Sequence, residues 1–159
     1  MTVPTRLSSY IDRCGASYEL CAHEPSRTSA ETAHRAHVLP HQLAKPVILE
    51  DELGFVMAVV PADKSVAVEE VAYMLGRKDL RLSHEDRIAR VFDDCERGAV
   101  PPVGMAWGLE TVVDAELESN DVVYLEGGDH ELLLRMPHDE FHRLMHDAHH
   151  GHICTAVMH

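Results

Sequence analysis

Basic charge is scarce in this sequence. Its 159 residues carry 14 Lys and Arg against 27 Asp and Glu, a formal net charge of −13. Wrapping a nucleic acid takes many Lys and Arg side chains to displace counterions, so this balance counts against a protein that tracks a long phosphate backbone. Gripping only the end of a nucleic acid, through few phosphate contacts, stays open. Long apolar runs are missing too. No segment approaches the roughly 20 apolar residues of a membrane span, and residues 1–10 have neither the basic cluster nor the apolar stretch of a secretory leader. The four cysteines, Cys14, Cys21, Cys95 and Cys154, form no Cys-x-x-Cys pair. With no leader beside them, they are expected to be reduced thiols in a soluble cytoplasmic protein. Gly-x-Gly-x-x-Gly, a Gly-Lys-Ser/Thr phosphate loop, a Gly-x-Ser-x-Gly elbow and His-Glu-x-x-His are all absent. Those absences disfavour dinucleotide, nucleoside-triphosphate, Ser-His-Asp and zinc-protease chemistry.

What is present suits one domain over residues 1–148, followed by a His-rich tail at 149–159. The apolar fraction of 45% is enough for an ordinary core. A helix is expected from Pro4 to Cys14 with Gly15 as its stop, then a short strand within Ser17–Ala22 and a loop at His23–Arg27. Thr28 or Ser29 can cap a helix running to about His37. Val47–Leu49 and Phe55–Val60, separated by a polar turn ending in Gly54, form a hairpin signal. Val68–Leu75 follows a helical pattern that stops at Gly76. Ser83, with Asp86 three residues on, predicts a capped helix to about Asp94. Strands are expected at Thr111–Val113, Val122–Leu125 and Glu131–Arg135, with a turn at Gly127–Asp129. Pro137 suits the first turn of a last helix through Ala148. Irregular alternation of this kind predicts a mixed α/β sheet flanked by helices.

Four groups of residues could carry chemistry. Lys45 precedes an apolar strand, where its ammonium either snorkels to solvent or aims a point charge at a ligand. In Gly98-Ala99-Val100-Pro101-Pro102-Val103-Gly104, adjacent prolines fix two φ angles while the flanking glycines free the backbone. Such a loop is either a rigid connector or a source of fixed N–H donors for an ester oxyanion. His130 follows the turn Gly127-Gly128-Asp129, free either to be solvated or to polarise a carbonyl. Arg77, Lys78, Arg81, Arg87 and Arg90 form the densest basic stretch. The acids interspersed there favour a solvated helix face.

The order Ala44-Lys45-Pro46-Val47-Ile48-Leu49, Val59-Val60-Pro61-Ala62-Asp63, Gly98 through Gly104, Val113-Asp114 and Gly127 through His130 resembles the YbaK/prolyl-tRNA synthetase-associated domain family. The likeness runs from about residue 5 to residue 146. It implies a central, barrel-like mixed sheet flanked by helices, and hydrolysis of wrongly attached amino acids from tRNA. By that resemblance Lys45 binds near the terminal adenosine and its phosphate, and backbone amides around the stretch Gly98, Ala99, Val100 and Pro101 hold the ester carbonyl. His130 assists, and the substrate's own ribose hydroxyl helps to place the water. Thr28, Met57, Pro102, Gly104 and Asp129 join Lys45 as expected substrate contacts. Pro46 stands where many relatives carry Thr or Asn. The expected partners are the acceptor end of aminoacyl-tRNA and an aminoacyl-tRNA synthetase. The other readings are a tRNA-end or aminoacyl-binding module with little catalysis, and a hydrolase of another small ester.

Thirteen histidines, seven of them between His138 and His159, raise a metal question. His138, His142, His146 and His150 recur every four residues, and two such imidazoles on one helix face can hold Zn²⁺. No Cys or carboxylate set visible in the sequence completes a cage. The expectation is therefore no metal and no cofactor, with a solvated helix and a disordered tail.

Overall fold

The computed structural model describes residues 3–24 and 28–156. Helix α1 (Thr5–Cys14) buries Leu7, Tyr10 and Ile11 at helical spacing. It ends at Gly15 in the left-handed conformation (φ 69°), which a side chain would strain. Strand β1 (Glu19–Ala22) precedes α2 (Ser29–Arg35). Thr28 caps α2, its hydroxyl accepting the Glu31 N–H at 3.1 Å. Residues 25–27 of the loop expected at 23–27 lie outside the described residues.

The hairpin forms as its pattern predicts. Strands β2 (Ala44–Asp51) and β3 (Gly54–Pro61) pair antiparallel, with Ile48 opposite Met57. Asp51 shapes the turn by accepting the Leu53 N–H at 2.8 Å. Strand β3 reads as a continuous apolar run because both its faces are covered. Met57 and Val59 join Ile48, Val113 and the buried residues of α1 in the main core. Val56, Ala58 and Val60 pack on the other side with Leu49, Val112, Val71 and Ile153.

Strand β4 (Lys64–Val66) leads into α3 (Val68–Leu75), which stops at Gly76 as expected. Then come β5 (Arg81–Leu82), α4 (Glu85–Val91), β6 (Glu110–Asp114), α5 (Ala115–Glu118), β7 (Val122–Glu126), β8 (Leu132–Pro137) and α6 (His138–Leu144). Two short strands, β9 (His149–Gly151) and β10 (Cys154–Ala156), complete the chain as described. The largest sheet has the order β5-β2-β3-β6-β9, antiparallel through β3 and parallel beyond it. A second, antiparallel sheet has the order β1-β8-β7, and β10 pairs with β4. The result is the mixed α/β fold that the sequence suggests, but among the described residues the strands form three hydrogen-bonded sheets rather than a closed barrel. A parallel bridge between Leu43 and Tyr124 joins the two larger sheets. No helix among the described residues is long and apolar enough to cross a membrane.

Three local expectations need correction. Ser83 does not cap α4: its hydroxyl donates to Glu50 at 3.3 Å, and His84 occupies the cap position without a side-chain bond. A buried carboxylate outcompetes the helix end for that hydroxyl. The last helix stops at Leu144, so the four-residue recurrence of histidines leaves the helix after His142. The expected disordered tail is instead folded as far as it is described, with residues 149–156 entering two sheets. Ile153 is fully buried, and its N–H donates at 2.7 Å to Asp114, itself fully buried. A single large aliphatic side chain in a His-rich stretch leaves no periodic signal, yet Ile153 anchors the segment. Residues 157–159 lie outside the described set.

Candidate functional site

The basic stretch from Arg77 to Arg90 proves to be partly scaffold. Arg77 meets Asp51 at 2.5 Å, with both side chains largely buried, and also reaches Glu110 at 3.4 Å. Arg87 and Arg81 reach Glu50 at 2.9 and 3.6 Å. Two carboxylates at the end of β2 are thereby paired, as buried charges require. Three of these arginines therefore already hold acids of the protein itself.

The Gly98 loop and the Gly127 turn lie against each other. The Glu96 N–H donates to the Gly128 carbonyl at 2.8 Å, and His130 Nε2 donates to the Arg97 carbonyl at 2.5 Å. Since a carbonyl only accepts, Nε2 carries the proton, and a neutral His130 presents Nδ1 as an acceptor. Asp129 builds the turn, with Oδ1 accepting the N–H groups of Glu131 and Leu132, each at 2.8 Å. Gly128 has φ 103°, and a Cβ there would fall 2.7 Å from Pro4 Cδ. Only glycine fits both its conformation and its neighbour.

Within the loop, Gly98 is exposed (φ 80°), whereas Ala99 through Gly104 are buried. The Ala99 N–H already donates to Glu96 at 3.1 Å. Gly104 has a packing reason: a Cβ would collide with Thr111 Oγ1 and lie 3.0 Å from Met57 Cβ. Met57 is itself fully buried. The structure thus brings Met57 and Gly104 together inside the core, and Thr28 at the exposed N-terminus of α2. Cys95, three residues before Gly98, has its thiol pushed up to about 12 by burial and then by Asp94. It is a protonated thiol rather than a nucleophile.

Lys45 lies elsewhere. Its position in β2, opposite Val60, places it on the sheet face shared with Val47 and Leu49, while Met57 belongs to the other face. Its ammonium donates to the Lys64 carbonyl at 2.5 Å rather than to the Gly98 loop. Burial lowers its pKa, an effect that Asp63 opposes.

Sequence reasoning missed Glu126. It ends β7 beside the Gly127 turn, is 3% exposed, and its Oε2 has no hydrogen-bond partner. Burial pushes its carboxyl up to about 7; Thr32 opposes the rise and Asp129 adds to it. Strand alternation places Glu126 and Tyr124 on the face that α2 covers. Beside α2 opens a groove of about 950 Å³, lined by Ala22, His23 and Glu24 and by Glu31, His34, Arg35 and His37. A lone acid closing the apolar run Val122–Leu125, just before two glycines, was the available signal.

These features define a mixed α/β protein with a glycine-proline loop and a histidine turn in direct contact. The chain belongs to the aminoacyl-tRNA editing domain family, whose model matches residues 23–144. Its fold is similar to that of the hypothetical protein APE2540 (26% identity, TM-score 0.82, covering 94% of this chain and 99% of that one). It is also similar to a proposed trans-editing enzyme for prolyl tRNA synthetase (20% identity, TM-score 0.80, 95% and 96% covered). No protein of curated function matches it.

Proposed function

We propose that the chain is a free-standing aminoacyl-tRNA deacylase, hydrolysing the ester that joins a small noncognate amino acid to the tRNA terminus. The observation that carries this reading, beyond family membership, is the contact between His130 and the Arg97 carbonyl. It unites the Gly98 loop and the His130 turn at one place. Water adds to the ester carbonyl carbon, the bond to the ribose oxygen breaks, and that oxygen takes up a proton. Free amino acid and tRNA result. Pro101 and Pro102 have no N–H, and that of Ala99 is engaged, so Gly98 and Val100 are the loop amides assigned to the oxyanion. A well-placed donor of this kind lowers the barrier by roughly 3 kcal/mol. His130, fixed at Nε2, offers Nδ1 to the attacking water or to a ribose hydroxyl. Thr28, Pro102 and Asp129 are assigned to the rim of the substrate pocket, with Met57 and Gly104 supporting the loop from behind.

Lys45 acts by leaving the Lys64 carbonyl for a phosphate of the acceptor end, its charge being costly where it is half-buried. The excess of acids makes intrinsic tRNA affinity modest, which favours delivery of the substrate by an aminoacyl-tRNA synthetase. The test is a deacylation screen of tRNAs charged with Ala, Cys, Ser, Thr and Pro, run with wild type and Lys45→Ala in parallel. Turnover of at least one by wild type, lost in the variant, is expected. Binding without turnover of any would leave a tRNA-end binding module, and turnover of small esters without dependence on tRNA would leave a general esterase.

A further inference from the structure

Outside the candidate editing site, three side chains with ligating atoms meet where residues 149–156 return to the main sheet. Asp114 ends β6, Glu116 stands in α5 and Cys154 begins β10. Cys154 Sγ lies 3.2 Å from Asp114 Oδ2 and 3.4 Å from Glu116 Oε2. One donor atom from each residue lies within 4.8 Å of the other two. Asp114 is fully buried, Cys154 is partly exposed and Glu116 is exposed.

Two features of this cluster call for a cation. The first is the buried negative charge of Asp114, which no Lys, Arg or His meets among the described residues. Its partners are the N–H groups of Ile153 and Glu116, at 2.7 and 2.9 Å, and the thiol. Glu50 and Asp51, by contrast, are met by arginines. Buried charges are as a rule paired or ligate metals. The second is the thiol, whose single proton can serve only one of the two carboxylates at a time. The other contact then sets lone pairs against lone pairs.

We propose that Cys154 Sγ, Asp114 Oδ2 and Glu116 Oε2 bind a divalent transition-metal ion such as Zn²⁺, with solvent as the fourth ligand on the exposed Glu116 side. Bonds of about 2.3 Å to sulfur and about 2.1 Å to oxygen, at a tetrahedral angle, set sulfur and oxygen about 3.6 Å apart. The two sulfur–oxygen distances here are already within about 0.4 Å of that value. A thiolate among the ligands selects an ion like Zn²⁺ over Mg²⁺ or Ca²⁺. As the bond from sulfur to the ion forms, the thiol proton leaves to solvent. The Ile153 N–H, bonded to Asp114 Oδ1, orients that carboxylate from behind. A bound ion ties β10 to the β6–α5 corner. The site uses none of the residues assigned to tRNA editing, so it stands or falls apart from that reading.

Titration of the full chain with Co²⁺ by absorption, and with Zn²⁺ by calorimetry, tests it, with a phosphine reductant present throughout. The first equivalent of Co²⁺ should give a near-ultraviolet thiolate-to-metal charge-transfer band, which imidazole and carboxylate ligands alone do not produce. Losing a direct ligand should cost at least as much as the roughly 10–100-fold of a lost supporting group. Cys154→Ser should therefore abolish the band and weaken Zn²⁺ binding about 100-fold or more. Glu116→Gln, at an exposed position, should weaken it by at least about 10-fold and keep the band. Cys21→Ser is the control and should bind as wild type, since Cys21 lies in β1 of the other large sheet. No band in wild type, a band that survives in Cys154→Ser, unchanged affinity in Glu116→Gln, or an equal loss in Cys21→Ser overturns the proposal. The wild-type spectrum needs no variant, so a misfolded mutant leaves that part of the test intact.

Discussion

Glu50 and Glu126 are the same residue type, each 3% exposed, yet the protein treats them in opposite ways. Glu50 is met by Arg87, Arg81 and Ser83, and its neighbour Asp51 by Arg77. Glu126 keeps one oxygen without a partner, and burial raises its pKa to about 7. A buried acid with its full set of partners is structure; one left short of partners is held ready for a proton or a ligand. The contrast separates the scaffold around the β2–β3 turn from the end of β7, where the Gly127 turn meets the Gly98 loop.

The sharpest way to break this contrast is to strip the scaffold acid of its partner. Arg77→Ala leaves Asp51 buried and unpaired, and should cost about 3–5 kcal/mol in urea unfolding at pH 7. A loss under 1 kcal/mol would mean that the pair is no more than a surface contact. Next comes Glu126→Gln. The folded protein holds a proton here up to about pH 7 that the unfolded chain releases near 4.5, so wild type loses stability as pH rises between those values. The variant should equal wild type at pH 4 and exceed it by up to about 3 kcal/mol at pH 8. Parallel pH profiles for the two proteins would erase the difference between Glu126 and Glu50.

Gly104→Ala probes the wall behind the loop. Overpacking against Thr111 and Met57 should cost about 1–3 kcal/mol, read as a lower thermal midpoint. A neutral result would place the loop outside the packed core. The smallest effect belongs to Arg97→Ala, whose pairing with Asp86 at 3.1 Å joins two exposed side chains. Stability should change by less than about 0.5 kcal/mol. A larger loss would show that Arg97 does more than lend its backbone carbonyl to His130.

Much of this was legible in the chain. The hairpin showed because β3 is covered on both faces and so must be apolar throughout. Gly15 and Gly76 marked helix ends because each takes a left-handed φ. The Gly98 loop and the Gly127 turn could each be read locally as rigid backbone. Their contact could not, because some thirty residues separate Arg97 from His130. Glu126 stayed hidden because its depth comes from α2 and the neighbouring strands, not from its own surroundings in sequence. The folding of residues 149–156 escaped notice for a similar reason: it rests on Ile153 and on Asp114, 39 residues away.

The sequence by itself determined the β2–β3 hairpin, most of the helices, the family and the loop able to donate backbone N–H groups, since each follows from residue type and short-range spacing. Tertiary structure alone decided which charges are silent and which are exposed to use. It paired Arg77, Arg81 and Arg87 with buried acids, turned Lys45 to a backbone carbonyl and left Glu126 short of a partner. Desolvation and pairing depend on every element packed around a group, and no stretch of sequence contains them.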